Sequence, residues 1–287
     1  MRFTTYLKSG QPRLAVVDGD ALVDLAEARP ALPADLRAAL TTGVDLLAEG
    51  AAALASAAPR LPLTAQALAP LLPEPGKTIC LGLNYFDHAK EGGRDKPDYP
   101  WFFYRGKSSL IGHGQPGIAP RVSTKFDYEA EMAVVIGKTV PRHTQRADAL
   151  PYVFGYSCFN DMSVRDYQKR TAQWTIGKNF DGTGGFGPAL VSADELPPGA
   201  TGLRIQSRLN GRVMQDASTT DMIFAVDETI ALLAECMTLE PGDVIVMGTP
   251  AGVGQARTPP VWMKAGDVIE IEIERIGVLR NPIVDER

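Results

Sequence analysis

Short apolar runs bounded by turn residues recur throughout the second part of the chain. These runs cover residues 79–83, 126–136, 152–159, 244–247 and 268–273, and turns are indicated at 240–243 and 264–267. The best helix signals lie at 164–172 and 226–237. Many strands with single helices between them predict a β-rich α+β fold, a roll or distorted barrel rather than a doubly wound sheet.

The first part of the chain has a different pattern. Two or three short strands are indicated between residues 2 and 25, around a turn at 18–20. An Ala- and Leu-rich stretch at 34–58 has helical spacing that is interrupted near 41–43, and five prolines follow between 59 and 75. We therefore predict a small N-terminal α+β domain over residues 1–72 and a catalytic domain over 73–287.

The composition excludes several function classes. The chain has 287 residues, of which 45% are hydrophobic, and a net charge of −5. An acidic chain does not favour nucleic-acid binding, and no apolar run approaches the roughly 20 residues of a membrane span. The three cysteines are far apart, and the N-terminus lacks a secretory pattern. We expect a cytoplasmic protein that binds neither nucleic acid nor membrane.

Acidic residues in the apolar segment 126–136 are the sharpest chemical feature. Glu129 and Glu131 are two residues apart and would share one face of a strand with Ala133 and Val135. Two carboxylates aimed at an apolar interior need a counter-charge, which a hard divalent cation such as Mg²⁺ supplies. The alternative is an edge strand with both side chains in water. Asp161, which ends the run that starts at Tyr152, is a candidate third ligand or an ordinary helix cap.

A histidine and several cations are candidates for the chemistry. His88 and Glu91 would share a helix face, so Glu91 could orient the imidazole as a general base, or the pair could be incidental. Lys178 could point inward to an anionic substrate or lie in water. Arg105 is a better candidate than Lys178 to bind a substrate carboxylate, because a guanidinium can donate two parallel hydrogen bonds to it, and Lys107 is a possible substitute for Arg105. Thr249 could bind an anion or only form a turn.

The segment 182–187 matches G-x-G-x-x-G formally. A dinucleotide site needs a strand before this motif and a helix that opens within it. Here a proline follows directly, and 189–191 has a strand pattern. We therefore interpret the segment as a loop without nucleotide-binding function.

Several of these motifs together resemble a known family. In order, they are 82–85 with His88 and Glu91, the strand with Glu129 and Glu131, 160–166, 177–178, 220–224, and 241–243 through 248–250. Over nearly all of residues 77–282 the sequence resembles the fumarylacetoacetate hydrolase family, and in particular its acylpyruvase or fumarylpyruvate hydrolase members.

The resemblance implies a catalytic domain built as a mixed β-sandwich roll, a homodimer, and a catalytic dyad of His88 and Glu91 on a lid. It implies Mg²⁺ or Mn²⁺ held by three carboxylates, which map onto Glu129, Glu131 and Asp161. Gln168 and Lys178 fall where family members contact the metal-bound substrate, and Thr249 where they bind its carboxylate end. Arg105 replaces a lysine that is common in shorter relatives.

The expected function is metal-dependent hydrolytic cleavage of a C–C bond in an acylpyruvate-type 1,3-diketo acid, such as fumarylpyruvate or a related intermediate of aromatic catabolism. The alternatives on the same metal–enolate platform are oxaloacetate decarboxylation, keto–enol isomerisation and hydration of a 2-oxo-4-enoate. A dimeric binding protein without activity is a further alternative, disfavoured by the presence of all five candidate ligands and dyad residues.

Overall fold

A computed structural model describes residues 1–93 and 95–287. Its strands are β1 (Arg2–Lys8), β2 (Gln11–Asp18), β3 (Ala21–Asp24), β4 (Leu61–Pro62), β5 (Thr78–Gly82), β6 (Trp101–Tyr104), β7 (Leu110–Ile111), β8 (Gly117–Ala119), β9 (Phe126–Asp127), β10 (Ala130–Ile136), β11 (Val153–Asp161), β12 (Ser163–Val164), β13 (Gly184–Ser192), β14 (Arg204–Leu209), β15 (Arg212–Ser218), β16 (Val244–Val246), β17 (Val268–Ile273) and β18 (Gly277–Asp285). Its α-helices are α1 (Leu25–Ala28), α2 (Leu36–Thr41), α3 (Leu46–Ala55), α4 (Phe86–Glu91), α5 (Arg165–Gln168), α6 (Thr175–Lys178) and α7 (Val226–Cys236).

Two large sheets organise the molecule. The larger has the strand order β4-β3-β2-β1-β13-β11-β10-β16-β5-β6, and β7 pairs with β13 at its side. The smaller has the order β15-β14-β17-β18-β8, and β12 and β9 form a separate pair. Most neighbours are antiparallel, whereas β16 and β5 are parallel. This mixed, strand-rich α+β architecture confirms the predicted fold class.

Strand β10 is buried on both faces. Met132 and Val134 pack into the core that includes residues of the smaller sheet, such as Ile205. Ala133 and Val135, which alternate with them, pack on the opposite face against residues of the N-terminal segment. The sequence of a strand that is covered on both faces is typically a nearly continuous apolar run, and the sequence of β10 has this pattern. Glu131 therefore lies in a region from which water is largely excluded.

The N-terminal segment extends the larger sheet. Phe3 of β1 pairs with Leu190 of β13, and the same core contains Phe3, Leu36 and Leu46 together with residues of β10. Helices α2 and α3 begin at aspartate caps and are separated near Gly43, whose φ of 74° suits glycine. The boundary at residue 72 stays a prediction.

Three segments differ from the sequence expectations. The run 126–136 forms two strands, because Asn160 and Asp127 side chains accept backbone N–H groups at the break between them. The helix signal at 164–172 yields only the short helix α5. The interpretation of 182–187 as a loop is wrong for its last four residues, because β13 begins at Gly184. A Cβ at Gly185 would lie 2.7 Å from the Asn281 side-chain oxygen, so close packing explains the glycine there.

Within the described residues, every helix is too short or too polar to span a bilayer.

Candidate active site

Three carboxylates converge at the end of the β10–β11 pair. Glu131 lies in β10, Asp161 ends β11, and Glu129 immediately precedes β10. The backbone N–H of Asp161 donates to the carbonyl oxygen of Glu129 at 3.0 Å, which fixes these two chain segments against each other. One oxygen from each carboxylate lies within 4.8 Å of the others, and all three side chains are buried.

Glu131 carries the least compensated charge of the three. Its Oε2 accepts the backbone N–H of Gly248 at 2.7 Å, whereas Oε1 is buried without a hydrogen-bond partner. Burial and the charges of Asp161 and Glu129 raise the pKa of Glu131 well above its ordinary value. A buried carboxylate oxygen without a donor needs a cation.

Lys178 bridges the other two carboxylates. Its Nζ lies 2.7 Å from Glu129 Oε2 and 2.6 Å from Asp161 Oδ2. Burial would lower the pKa of Lys178, but the charges of Asp161 and Glu129 outweigh burial and raise it, so the side chain stays an ammonium. Two of its N–H groups are committed to these carboxylates, and a third remains for a ligand.

Two arginines extend this network on either side. Arg165 pairs with Glu129 at 2.5 Å and with Asp127 at 2.8 Å. Arg105 pairs with Asp161 and donates to the carbonyl oxygen of Met162 at 2.6 Å. Burial opposes ionisation of Glu129, but the charges of Arg165 and Lys178 outweigh burial and hold its pKa well below the usual range.

The donor set fits a divalent cation. The cluster contains four buried carboxylates and three buried cations, which are Arg105, Arg165 and Lys178. The cations form salt bridges with Asp127, Glu129 and Asp161. Among the described residues, Glu131 forms none. With all four carboxylates ionised the cluster would have one excess negative charge, at Glu131, and this uncompensated charge is why burial and the neighbouring carboxylates raise the pKa of Glu131. Oxygen-only ligands with room for substrate or water are what Mg²⁺ and Mn²⁺ prefer. We infer that Glu129, Glu131 and Asp161 would hold such an ion.

A histidine faces the same cavity. This cavity of about 360 Å³ is lined by His88 and Glu91 as well as by Glu129, Glu131 and Lys178. His88 Nδ1 lies 2.8 Å from Glu91 Oε1, and the Glu91 carboxylate also accepts the backbone N–H of Gly252 at 3.0 Å. Because Nδ1 is committed to Glu91, Nε2 is the atom left to exchange a proton with a ligand.

The remaining predicted residues fall in different places. Gln168 lines the cavity, and its Oε1 accepts a hydrogen bond from Arg165 at 3.0 Å. Thr249 also lines it, but its hydroxyl already donates to the Ala130 carbonyl at 2.9 Å and accepts from Gln215 at 2.7 Å. The single hydroxyl proton of Thr249 is therefore committed, and Thr249 can donate to a substrate carboxylate only by giving up the bond to Ala130.

Arg105 does not match its predicted role as a fork for a substrate carboxylate. Its side chain is fully buried behind Asp161 and is absent from the cavity wall. Its guanidinium N–H groups serve Asp161, Met162 and Thr183. The substitute Lys107 is exposed and pairs with Glu74. Arg105 therefore positions a carboxylate of the triad.

The sequence interpretation missed two buried partners and one wall of the cavity. Asp127 and Arg165 lie within the segments 126–136 and 160–166, and a charged residue beside apolar ones is a signal for a buried ion pair. Trp174 closes the cavity beside Phe103 and stacks on Trp101 at 5.4 Å between ring centroids. A Cβ at Gly82 would lie 2.0 Å from the Trp174 ring, so this glycine makes room for the indole.

A family model described as "Fumarylacetoacetate (FAA) hydrolase C-terminal" matches residues 77–284. The chain belongs to this family. The rat protein "Oxaloacetate tautomerase Fahd2a, mitochondrial" is 39% identical over 267 residues, which cover 93% of this chain and 85% of the relative. A human relative, "Oxaloacetate tautomerase FAHD2A, mitochondrial", is 38% identical over 269 residues, with the same two coverages.

Two solved structures are similar over the full length of both chains. Fumarylacetoacetate hydrolase from Exiguobacterium antarcticum superimposes with a TM-score of 0.85 at 34% identity. Maleylpyruvate hydrolase from Sphingobium sp. SYK-6, in complex with manganese(II) and pyruvate, superimposes with a TM-score of 0.82 at 32% identity. A family member thus binds Mn²⁺, and the buried triad here offers ligands for such a metal.

Proposed function

We propose that the protein is a metal-dependent enzyme that interconverts the keto and enol forms of a 2-oxo dicarboxylic acid, with oxaloacetate as the substrate. The observation that carries the proposal is the buried triad with an unpartnered Glu131 oxygen, in one cavity with the His88–Glu91 pair. The rat and human relatives named oxaloacetate tautomerases favour this reaction over the hydrolysis expected first.

Each residue has a distinct part in this reaction. A divalent ion held by Glu129, Glu131 and Asp161 would polarise the oxygens of the 2-oxo acid. His88 Nε2 takes a proton from C3 of the keto form, and the C–H electron pair forms the C2–C3 double bond while charge develops on the C2 oxygen. Glu91 stabilises the imidazolium, and the free N–H of Lys178 stabilises the C2 oxygen. The proton on the His88 imidazolium then passes to that oxygen through solvent exchange, which completes the enol, restores the neutral base and consumes no water.

Hydrolysis of an acylpyruvate is the second candidate, because the maleylpyruvate hydrolase shares the fold over the whole chain and because His88 could equally deprotonate water. In this reaction hydroxide adds to the distal carbonyl carbon. The C–C bond then breaks, its electron pair passes to the pyruvate enolate, and protonation releases pyruvate. One water is consumed in each turnover.

Three measurements on the Mg²⁺-loaded enzyme separate the candidates. The ultraviolet absorbance of the oxaloacetate enol follows tautomerisation, and coupled pyruvate detection follows decarboxylation of oxaloacetate and cleavage of maleylpyruvate or fumarylpyruvate. We expect faster equilibration of the enol without pyruvate formation, and loss of the effect in EDTA. Pyruvate from an acylpyruvate alone would establish the hydrolase instead. No acceleration with any of these substrates would contradict both proposals.

The assembly and location are proposals as well. We propose a homodimer in the cytoplasm that binds a small 2-oxo acid and neither nucleic acid nor membrane, as the sequence predicts. Light scattering behind size-exclusion chromatography tests the dimer. A mass of one 30.8 kDa chain would contradict it.

A further inference from the structure

One cation of the cavity wall has no carboxylate partner. Among the described residues, the lysine and arginine side chains that line the cavity belong to Arg165, Lys169 and Lys178. Arg165 and Lys178 pair with Glu129. In residues 1–93 and 95–287, no carboxylate forms a salt bridge with Lys169. Its charge is therefore available to a ligand.

Lys169 directly follows Gln168, the last residue of α5, which also lines the cavity. It caps the C-terminus of α5, where its backbone N–H donates to the Arg165 carbonyl at 3.2 Å. Lys169 is an exposed residue of the cavity wall; partial burial and the positive charges of Arg165 and Lys125 lower its pKa, and the charge of Asp127 opposes this effect. An ammonium close to other cations gains when an anion binds beside it.

Gln255 supplies a second unpartnered polar group on this side. Its side chain lines the cavity and its Oε1 is buried without a hydrogen bond. Its backbone N–H donates at 3.0 Å to the Asp127 carboxylate that pairs with Arg165. The unpartnered Oε1 is an acceptor, so Gln255 would meet an anion with its amide NH₂ turned to the position that Oε1 occupies.

We propose that Lys169 binds the distal carboxylate of a 2-oxo dicarboxylic acid and so selects dicarboxylates over monocarboxylates. This inference rests on the proposed function, in which the triad takes the 2-oxo acid end. Arg105, the residue expected to anchor a carboxylate, is turned away behind Asp161. Among the described residues, Lys169 is the lysine or arginine of the cavity wall that forms no salt bridge, and it can therefore pair with the distal carboxylate.

Calorimetric binding of two non-reacting ligands to the Mn²⁺-loaded protein tests the proposal. Pyruvate has the 2-oxo acid end alone, and 2-oxoglutarate adds a distal carboxylate. In Lys169→Gln we expect the affinity for 2-oxoglutarate to fall about tenfold, as for loss of a charge-assisted hydrogen bond. The affinity for pyruvate should stay within about twofold.

Two further variants complete the test. Lys169→Arg keeps the charge and should retain most of the affinity for 2-oxoglutarate. Lys125→Gln removes the same charge outside the cavity wall and should change neither ligand's affinity appreciably. Equal losses for both ligands in Lys169→Gln, or no loss for either, would overturn the assignment of Lys169. If wild type binds neither ligand in the presence of Mn²⁺, the proposed function itself fails, and the Lys169 subsite fails with it.

Discussion

Replacement of Glu131 by glutamine should change stability in opposite directions with and without metal. The Gly248 N–H donates to Oε2, and a glutamine oxygen can still accept this bond. The amide NH₂ would replace Oε1, which has no partner and faces the carboxylates of Asp161 and Glu129. The variant thus has a permanent donor at a position where Glu131 supplies one only by taking up a proton, and it can place no charge beside the other two carboxylates.

The magnitude follows from the cost of a buried unsatisfied group. That cost is about 1–3 kcal/mol, so metal-free Glu131→Gln should exceed metal-free wild type by this amount in unfolding free energy. For a chain of this size we expect a rise in Tm of roughly 2 °C per kcal/mol. Conversely, Mn²⁺ at 100 times its Kd should stabilise wild type by about 2.7 kcal/mol and the variant much less.

Thermal unfolding in EDTA and in excess Mn²⁺ measures both effects on the same samples. The expected order is variant above wild type in EDTA and wild type above variant in Mn²⁺. Glu235→Gln, at an exposed position away from the cavity, is the matched control and should follow wild type in both buffers. A variant that is less stable in EDTA and keeps the full Mn²⁺ shift would refute the argument.

Three further predictions concern other parts of the structure. His88→Asn should lower turnover by about 10²–10⁴-fold while calorimetry shows Mn²⁺ affinity within twofold of wild type, and loss of metal binding would argue against a role limited to proton transfer. Gly177→Ala should cost about 1–3 kcal/mol in denaturant unfolding and reduce activity, because the new Cβ would lie 2.3 Å from the Gln168 backbone nitrogen beside Lys178. Gly106→Ala, whose nearest neighbour is 3.4 Å away, is its control. Burial lowers the pKa of His113, so the unfolded chain binds the proton more readily, and the stability present above about pH 6.5 is lost as the pH falls below it. His113→Gln should lose less stability than wild type between pH 7 and pH 5 in chemical denaturation, and identical pH slopes would contradict this.

The fold class was predictable because local patterns agree with the final architecture. Turn residues separate apolar runs that become β5, β11, β16 and β17, and helix α7 matches its predicted segment to within one residue. The break before β10 was not predictable in this way. It depends on the side chain of Asp127, which accepts the N–H of the next residue, and on the side chain of Asn160, which accepts the N–H of Glu129. The second of these is a tertiary contact, which leaves no period in the sequence.

The candidate site shows the same division. A pair of glutamates in a buried strand could be recognised from the strand period of two residues, although Glu129 itself precedes β10. The pairing of cations could not be assigned. Arg105 and Lys178 both have apolar neighbours in the sequence. In the structure, Arg105 lies behind Asp161, whereas Lys178 faces the cavity. That choice is set by which carboxylates the strands bring within reach, which only the assembled structure determines.

Anomalous diffraction from crystals grown with Mn²⁺ tests the central claim most directly. The account predicts one strong peak that is coordinated directly by an oxygen of each of Glu129, Glu131 and Asp161. A peak at other residues, with Glu131 Oε1 still unpartnered and Lys178 alone bridging the remaining pair, would contradict it.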